Sequence, residues 1–377
     1  MIKLKNLSYT ELSEKIRREL KSIIVYGAGM IGQIVVPDML KRFQLEEYLR
    51  FYVDADIYKQ RRKIAVDNRE YEIKSPEELQ AYCRRNKNGM ILITNSHFEP
   101  IVRTLDGFSE LDGVEACIVP VAQISESKRH VNPAPMRMSE EPLIPKVIHY
   151  CWFSGSKMPE KFKRCIGSWK KYCPDYDIRR WDESNYDINK NPYMKAAYKH
   201  QKWGFVPDYA RLDILYQYGG IYMDTDVELV RGLDELLYQS AFCGVEKWGN
   251  INMGGCSGAV AGHPVIRKML EAREGISFIR EDGSLNLETC GIYETKPLIR
   301  EGMRVDNQVQ TVGGMTVYSS DYFSPYDYMS GEITMTENTF SIHHFNGGWL
   351  DQRAKEQREK TQMQYKAVLQ RMERETA

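Results

Sequence analysis

Residues 203–230 read WGFVPDYARLDILYQYGGIYMDTDVELV, and the fold turns on them. Pro207 opens an apolar-periodic run that predicts a helix over 206–218, stopped by Gly219-Gly220. Glycine takes the left-handed conformation at a helix end without a steric penalty. Ile221-Tyr222-Met223 predicts a short strand that runs into Asp224-Thr225-Asp226. In an extended segment, residues i and i+2 point to one side, so Asp224 and Asp226 are expected to aim two carboxylates at one place. Hard divalent cations take oxygen ligands, and Mg²⁺ typically uses only one or two carboxylates, leaving places for phosphate oxygens. An acid pair at a strand end therefore suits a metal that carries a nucleotide diphosphate. The competing reading is a solvated turn, which any isolated Asp-x-Asp allows.

The flanks extend the pattern. Residues 146–152 (KVIHYCW) predict a strand, Pro159 starts a helix (PEKFKRCIGSWKKYC), and 176–181 (YDIRRW) predict a second strand. Strands alternating with helices imply a parallel α/β sheet. At 377 residues and 42% hydrophobic, the chain suits two domains and excludes global disorder. Lys+Arg and Asp+Glu both number 52, so the net charge is 0. That argues against nucleic acid as a partner, because phosphate neutralisation needs a basic excess. No apolar run approaches the roughly 18 residues of a membrane span. The charged N-terminus lacks the apolar core of a secretory signal. Eight cysteines form no CxxC and no zinc spacing, which reads as reduced thiols. The expected location is cytoplasmic, with peripheral contact at the inner face of the membrane as an extension.

Residues 144–152 and 203–230 together resemble glycosyltransferase family 32, the Asp-x-Asp sugar transferases that include capsular polysaccharide enzymes. The resemblance covers about residues 143–350. It implies a GT-A type nucleotide-sugar transferase domain, a nucleoside diphosphate sugar donor, Mn²⁺ or Mg²⁺, and retention of anomeric configuration. Carried over by position, it implies that Trp152 stacks on the donor base. Asp208 and Arg211 match an Asp-x-x-Arg that contacts the donor sugar and ribose, against the alternative of a plain i,i+3 ion pair. Asp224 matches the first acid, near the ribose and the metal, and Asp226 the direct metal ligand. In Ser341-Ile342-His343-His344-Phe345-Asn346-Gly347-Gly348-Trp349, the His-x-x-Gly spacing points to His344 as a third ligand. Trp349 is implied at the diphosphate. The expected catalytic set is Asp208, Arg211, Asp226 and Trp349, and the expected metal set Asp224, Asp226 and His344. A uridine diphosphate sugar is the favoured donor, and a glycan or lipid-linked glycan of a bacterial capsule or surface polysaccharide is the favoured acceptor. Pro207 stands where many relatives have Ser, and the acceptor-side motif survives only as Thr289-Cys290-Gly291. Asn252, Glu294 and Asp306 are candidates for the acceptor side, with structural roles favoured.

The N-terminal third carries a different motif. After a charged lead expected to be helical, strand 23–26 runs into Gly27-Ala28-Gly29-Met30-Ile31-Gly32 and a helix. Strand 51–53 ends at Asp54. A turn-rich patch spans 59–73, and a helix starts at Ser75-Pro76. Strands follow at 90–94 and 115–120. Gly27, Gly29 and Gly32 between a strand and a helix suit a diphosphate at the helix N-terminus, with Asp54 on a ribose. Closing a turn in a scaffold is the rival reading. VYGAGMIG, VDAD (53–56) and KSPEEL (74–79) resemble the small Rossmann-like domains on bacterial sugar acetyltransferases. That resemblance implies a nucleotide or nucleotide-sugar pocket.

The domain expectation is thus 1–125 Rossmann-like, 126–142 linker, 143–350 transferase and 351–377 a helical tail. The Pro-rich, aperiodic stretch 121–145 carries the linker. Met363, Ala367, Val368 and Met372 form a thin apolar stripe on the tail. Two other functions stay open at this point. One is a non-catalytic nucleotide-sugar-binding scaffold, against which the intact Asp-x-Asp speaks. The other is an NAD(P)-dependent oxidoreductase fusion, which lacks a Tyr-x-x-x-Lys at a sensible place.

Overall fold

Ser8 and Ser75 each accept a hydrogen bond from the backbone of a glutamate three residues on, whose side chain returns the bond. These two capping boxes fix where helices start in the N-terminal region. In the computed structural model, residues 1–129, 134, 137–327, 330–345 and 352–376 are described. The chain divides into two units, Met1–His130 with Glu359–Ala377, and Val131–Arg358.

The first unit runs β1 (Lys3–Lys5), α1 (Tyr9–Glu19), β2 (Ser22–Tyr26), α2 (Val36–Arg42), β3 (Leu49–Val53), β4 (Lys63–Val66), β5 (Arg69–Lys74), α3 (Pro76–Cys83), β6 (Gly89–Ile93), α4 (Glu99–Asp106), β7 (Glu115–Ile118) and α5 (Val119–Ser127). The sheet order is β1-β7-β6-β2-β3-β5-β4. All neighbours are parallel except β4 and β5. Every residue of the central strand β6 is buried, as expected where helices cover both faces. The lead is not wholly helical, because β1 precedes α1. The patch 59–73 is a hairpin, with Ile64, Val66, Tyr71 and Ile73 alternating inward and Asp67 at φ 53° in the turn. That alternation is present in the sequence but masked by the charges between.

The second unit runs β8 (Val147–Cys151), α6 (Glu160–Tyr172), β9 (Asp177–Trp181), α7 (Pro192–Lys199), α8 (Pro207–Tyr218), β10 (Gly220–Tyr222), β11 (Val227–Leu229), β12 (Ala241–Val245), β13 (Ile251–Asn252), β14 (Ser257–Ala259), α9 (Pro264–Glu274), α10 (Cys290–Arg300), β15 (Gln310–Val312), β16 (Met315–Tyr318), α11 (Ser320–Phe323), β17 (Tyr326–Asp327), β18 (Glu332–Ile333) and β19 (Ser341–His343). The main sheet is β15-β16-β12-β14-β10-β8-β9, with β13 on β12, while β11 and β19 form a separate antiparallel ribbon. β9, β8 and β10 are parallel, and β14 turns the direction. The ends of β8 and β10 therefore open on one edge, where Trp152 and Asp224 follow.

Two boundaries differ from expectation. Residues 138–144 are no free linker, since Met138 and Ser139 donate to the Tyr238 carbonyl and Leu143 and Ile144 to that of Leu237. The tail is not a separate segment either. In α12 (Gln352–Thr376), the part from Glu359 belongs to the first unit. Val368 and Met372 are buried there, Tyr365 packs 4.6 Å from the Phe98 ring, and Arg371 pairs with Asp106. Glu375 accepts the Leu4 N–H of the edge strand β1, and Thr376 accepts the Asn6 N–H just beyond it. Those donors would otherwise invite another strand. The buried part of the stripe is thus spent on packing, while Met363 and Ala367 stay exposed. No described helix is long and apolar enough to cross a membrane.

Gly219 and Gly220 have φ of 64° and 94°, and a Cβ on either would lie 2.8 Å from backbone atoms. Beneath them His149 is fully buried, donating from Nε2 to the Gly219 carbonyl (2.9 Å) and accepting at Nδ1 from Trp181 (3.1 Å). Burial lowers its pKa to about 4. A histidine with a depressed folded pKa stabilises the fold above its unfolded value of about 6.5, and that stability is lost as pH falls toward 4. Acid unfolding curves should therefore show a loss of about 2–3 kcal/mol from this group across that window. His149→Gln should flatten it.

Candidate functional site

β10 ends at Tyr222, and the chain then turns. Val227 N–H donates to the Asp224 carbonyl (3.1 Å), so Asp224–Val227 is a tight turn and not an extended segment. The two acids converge for that reason. Asp224 is held by its own N–H on the Gly254 carbonyl (2.8 Å) and by the Tyr222 hydroxyl donating to Oδ1 (3.0 Å). Beyond the turn, β11 pairs with β19 so that Val227 faces His343. This ribbon carries His343 to Asp226, with Nε2 3.3 Å from Oδ1. Asp224, Asp226 and His343 bring one ligand atom each within 4.8 Å of one another.

The structure brings His343, and not the expected His344, to the two acids. Side chains alternate along a strand, so neighbouring histidines face opposite ways. His344 shares the face of Glu228 and lies 2.9 Å from its Oε2. His343 is the buried one. Asn252 sets its ring. Asn252 Oδ1 accepts the Gly254 and Gly255 N–H groups (3.1 and 3.0 Å), which leaves Nδ2 2.9 Å from His343 Nδ1. The donor set fits a divalent cation. Two carboxylates favour a hard ion, and the imidazole shifts the balance from Mg²⁺ toward a transition metal such as Mn²⁺.

Asp208 and Arg211 sit one turn apart on α8, both 3% exposed, joined at 2.9 Å. Burial raises the Asp208 pKa, and Arg211 and Arg273 pull it back. Burial opposes the Arg211 charge, yet Asp224, Cys290 and Asp208 hold its pKa well above the ordinary value. Arg211 Nη2 lies 3.7 Å from Asp224 Oδ1, which links the pair to the acid turn. Gly254 makes the approach possible, because a Cβ there would stand 2.1 Å from Asp224 Oδ2 and 2.9 Å from Arg211 Nη1. Burial also pushes the Glu246 carboxyl up to about 7, with His343 opposing and Glu294 adding to the shift.

Trp152 follows β8, its indole N–H on the Ser156 carbonyl (2.8 Å) and its ring 5.5 Å from Phe162. Trp349 lies outside the described residues. Asp306 pairs with Arg304 and bonds Gln308 N–H. In the first unit, Gly27 (φ 115°) and Gly32 are explained by packing, since a Cβ would meet Thr94 Oγ1 at 2.4 Å and the Gly27 carbonyl at 2.0 Å. Gly29 faces open space. The Asp54 carboxylate closes the loop, accepting from Ala28 and Asp56 N–H and from Lys59. A ribose would have to share it.

Residues 159–243 match the family model of the glycosyltransferase sugar-binding region containing a DXD motif. The matched segment contains α6, α8 and the Asp224–Asp226 turn, and it stops before β19 brings in His343. Among curated proteins, the chain is similar to inositol phosphoceramide mannosyltransferase 3 of Schizosaccharomyces pombe, 32% identical over 41% of this chain and 43% of that protein. It is also similar to mannosyl phosphorylinositol ceramide synthase SUR1 of Saccharomyces cerevisiae, 32% identical over 34% of this chain and 35% of that protein. The chain thus spans less than half the length of these relatives. Among solved structures, PaToxG glycosyltransferase is matched with a TM-score of 0.34 and 18% identity, over 60% of this chain and 80% of that one. That likeness is too weak to bear on the fold.

Proposed function

We propose that the second unit is a GT-A type, metal-dependent glycosyltransferase that moves a sugar from a nucleoside diphosphate sugar to a hydroxyl of a glycan or glycolipid. The gathering of Asp224, Asp226 and His343 beside the buried Asp208–Arg211 pair carries this reading. The matched sugar-binding region and the named relatives support it. A cation bound there would supply Lewis-acid stabilisation of the departing diphosphate. The chain's own work is positioning. Tyr222 and Gly254 fix Asp224, and the ribbon register fixes Asp226 against His343. The Asp208–Arg211 pair offers a buried acceptor and donor that can hold sugar hydroxyls in one pose. Trp152 is proposed as the stacking surface for the base, worth about 1–3 kcal/mol. Front-face attack with retention is the proposed course because the family resemblance implies it, and among the described residues no carboxylate pair is assigned as acid and nucleophile. UDP-sugars are the favoured donors, and the relatives' names are a reason to include mannosyl donors in the panel.

Donor hydrolysis over a panel of UDP- and GDP-sugars tests this. Nucleotide release should require Mn²⁺, stop with a chelator, and fall at least a thousandfold in Asp226→Ala. Release that survives both chelation and Asp226→Ala would end the proposal. A nucleotide pocket in the first unit is a separate proposal, supported by the open space over Gly29. Calorimetry on full-length Asp226→Ala should then still show UDP or UDP-sugar binding, and a flat titration would remove it.

A further inference from the structure

Behind the Asp208–Arg211 pair lies a second pair that no motif announced. Arg273 in the last turn of α9 and Glu294 on α10 are each 1% exposed. The four charges close a ring of alternating sign. Arg211 stands 2.9 Å from Asp208 and 3.9 Å from Glu294, while Arg273 stands 3.8 Å from Asp208 and 3.7 Å from Glu294. Arg273 adds its guanidinium over the Tyr293 ring at 4.9 Å. Glu294 accepts the Met253 N–H (3.2 Å), which ties the ring to the segment that holds Gly254.

The ring is costly as it stands. Nε, Nη1 and Nη2 of Arg273 and Oε1 of Glu294 have no hydrogen-bond partner among the described residues. An apolar side chain in place of Arg273 would pack at lower desolvation cost. It would also leave Asp208 and Glu294 sharing one cation, with surplus buried negative charge that draws Arg211 inward from Asp224 toward Glu294. Arg273 balances that charge and takes the inner oxygen of Asp208. Arg211 is thereby left with its Nη2 between Asp208 and Asp224.

We infer that Arg273, together with Glu294, is a positioning residue that fixes the Asp208–Arg211 pair in the orientation that meets the donor sugar. The inference rests on the donor reading proposed above and deepens it. The ring acts on the sugar end of the donor and not on the nucleotide end.

Calorimetric titration of the full chain with Mn²⁺ separates the cases, using a UDP- or GDP-sugar and the matching bare diphosphate. Arg273→Met should lose at least tenfold in affinity for the nucleotide sugar and stay within twofold for the nucleotide. Arg273→Met/Glu294→Gln restores the charge balance and should bind the nucleotide sugar at least threefold better than Arg273→Met alone. Circular dichroism and melting confirm that each variant is folded at the titration temperature. Where Arg273→Met does not fold, Arg273→Gln carries the same comparison. Equal affinities in wild type and variant, or equal losses for both ligands, would overturn the positioning role while leaving the transferase reading in place. A wild type that binds no nucleotide sugar would overturn that reading, and this inference with it.

Discussion

Gly254→Ala is expected to cut metal-dependent donor turnover by about two to three orders of magnitude, because a misplacement near 1 Å already costs about a hundredfold. The added Cβ would stand 2.1 Å from Asp224 Oδ2, 2.8 Å from its Cγ and 2.9 Å from Arg211 Nη1. Gly254 is not among the glycines with positive φ, so alanine meets no backbone penalty there. The damage is therefore aimed at the site. Asp224 must swing away from Asp226 and His343, or the segment 253–255 must retreat. The second route drags on Asn252, whose Oδ1 holds the Gly254 and Gly255 N–H groups. Stability should fall by only about 1–3 kcal/mol, the usual cost of overpacking. Initial rates and a melting curve on one preparation check both halves of the expectation.

Arg211→Met should be the most destabilising single change in the second unit, by about 3–5 kcal/mol, because breaking a buried ion pair leaves its partners uncompensated. Asp208 and Glu294 would remain buried with Arg273 as their shared cation. Burial already raises the pKa of both carboxyls, and Arg211 is the first group that opposes the rise in each. Without it they favour the neutral form. The stability gap to wild type should then narrow as pH falls, since protonation relieves the unpaired charge. Denaturant melts at pH 5 and pH 8 test this. A gap that is equal at both would mean that the carboxyls do not carry the cost.

The Asp224/Asp226 and Asp208/Arg211 pairs were legible as residue types in the sequence because both are local, although the chain at 224–227 turns where an extended segment was expected. One tight turn and one helical turn place them, and their residue types announce their chemistry. His343 was not. Choosing between neighbouring histidines requires the register of β11 against β19, a pairing between segments more than a hundred residues apart. Asn252 and Gly254 carry no chemical signature, and their roles come from what they leave room for or hold still. Arg273 looks like an ordinary charge at a helix end until α8, α9 and α10 bury it. The first unit divides in the same way. The central strands could be read from apolar runs such as MILIT at 90–94. The β4–β5 hairpin was hidden by charges on its outward face, and the docking of the tail helix depends on donors of β1 that no sequence pattern reveals. Gly27 and Gly32 stand out in the sequence through the glycine motif, and the crowding that demands glycine there comes from Thr94 and the loop itself.

Metal-dependent transfer requires Asp224, Asp226 and His343 to form one cation site. Electron paramagnetic resonance of free Mn²⁺, in the presence of a nucleoside diphosphate, measures this without turnover. Wild type and His344→Ala should quench the free signal well below the level set by the diphosphate alone, and Asp226→Ala and His343→Ala should leave it near that level. A His343→Ala protein that still takes up Mn²⁺, beside a His344→Ala protein that does not, would contradict the site described here.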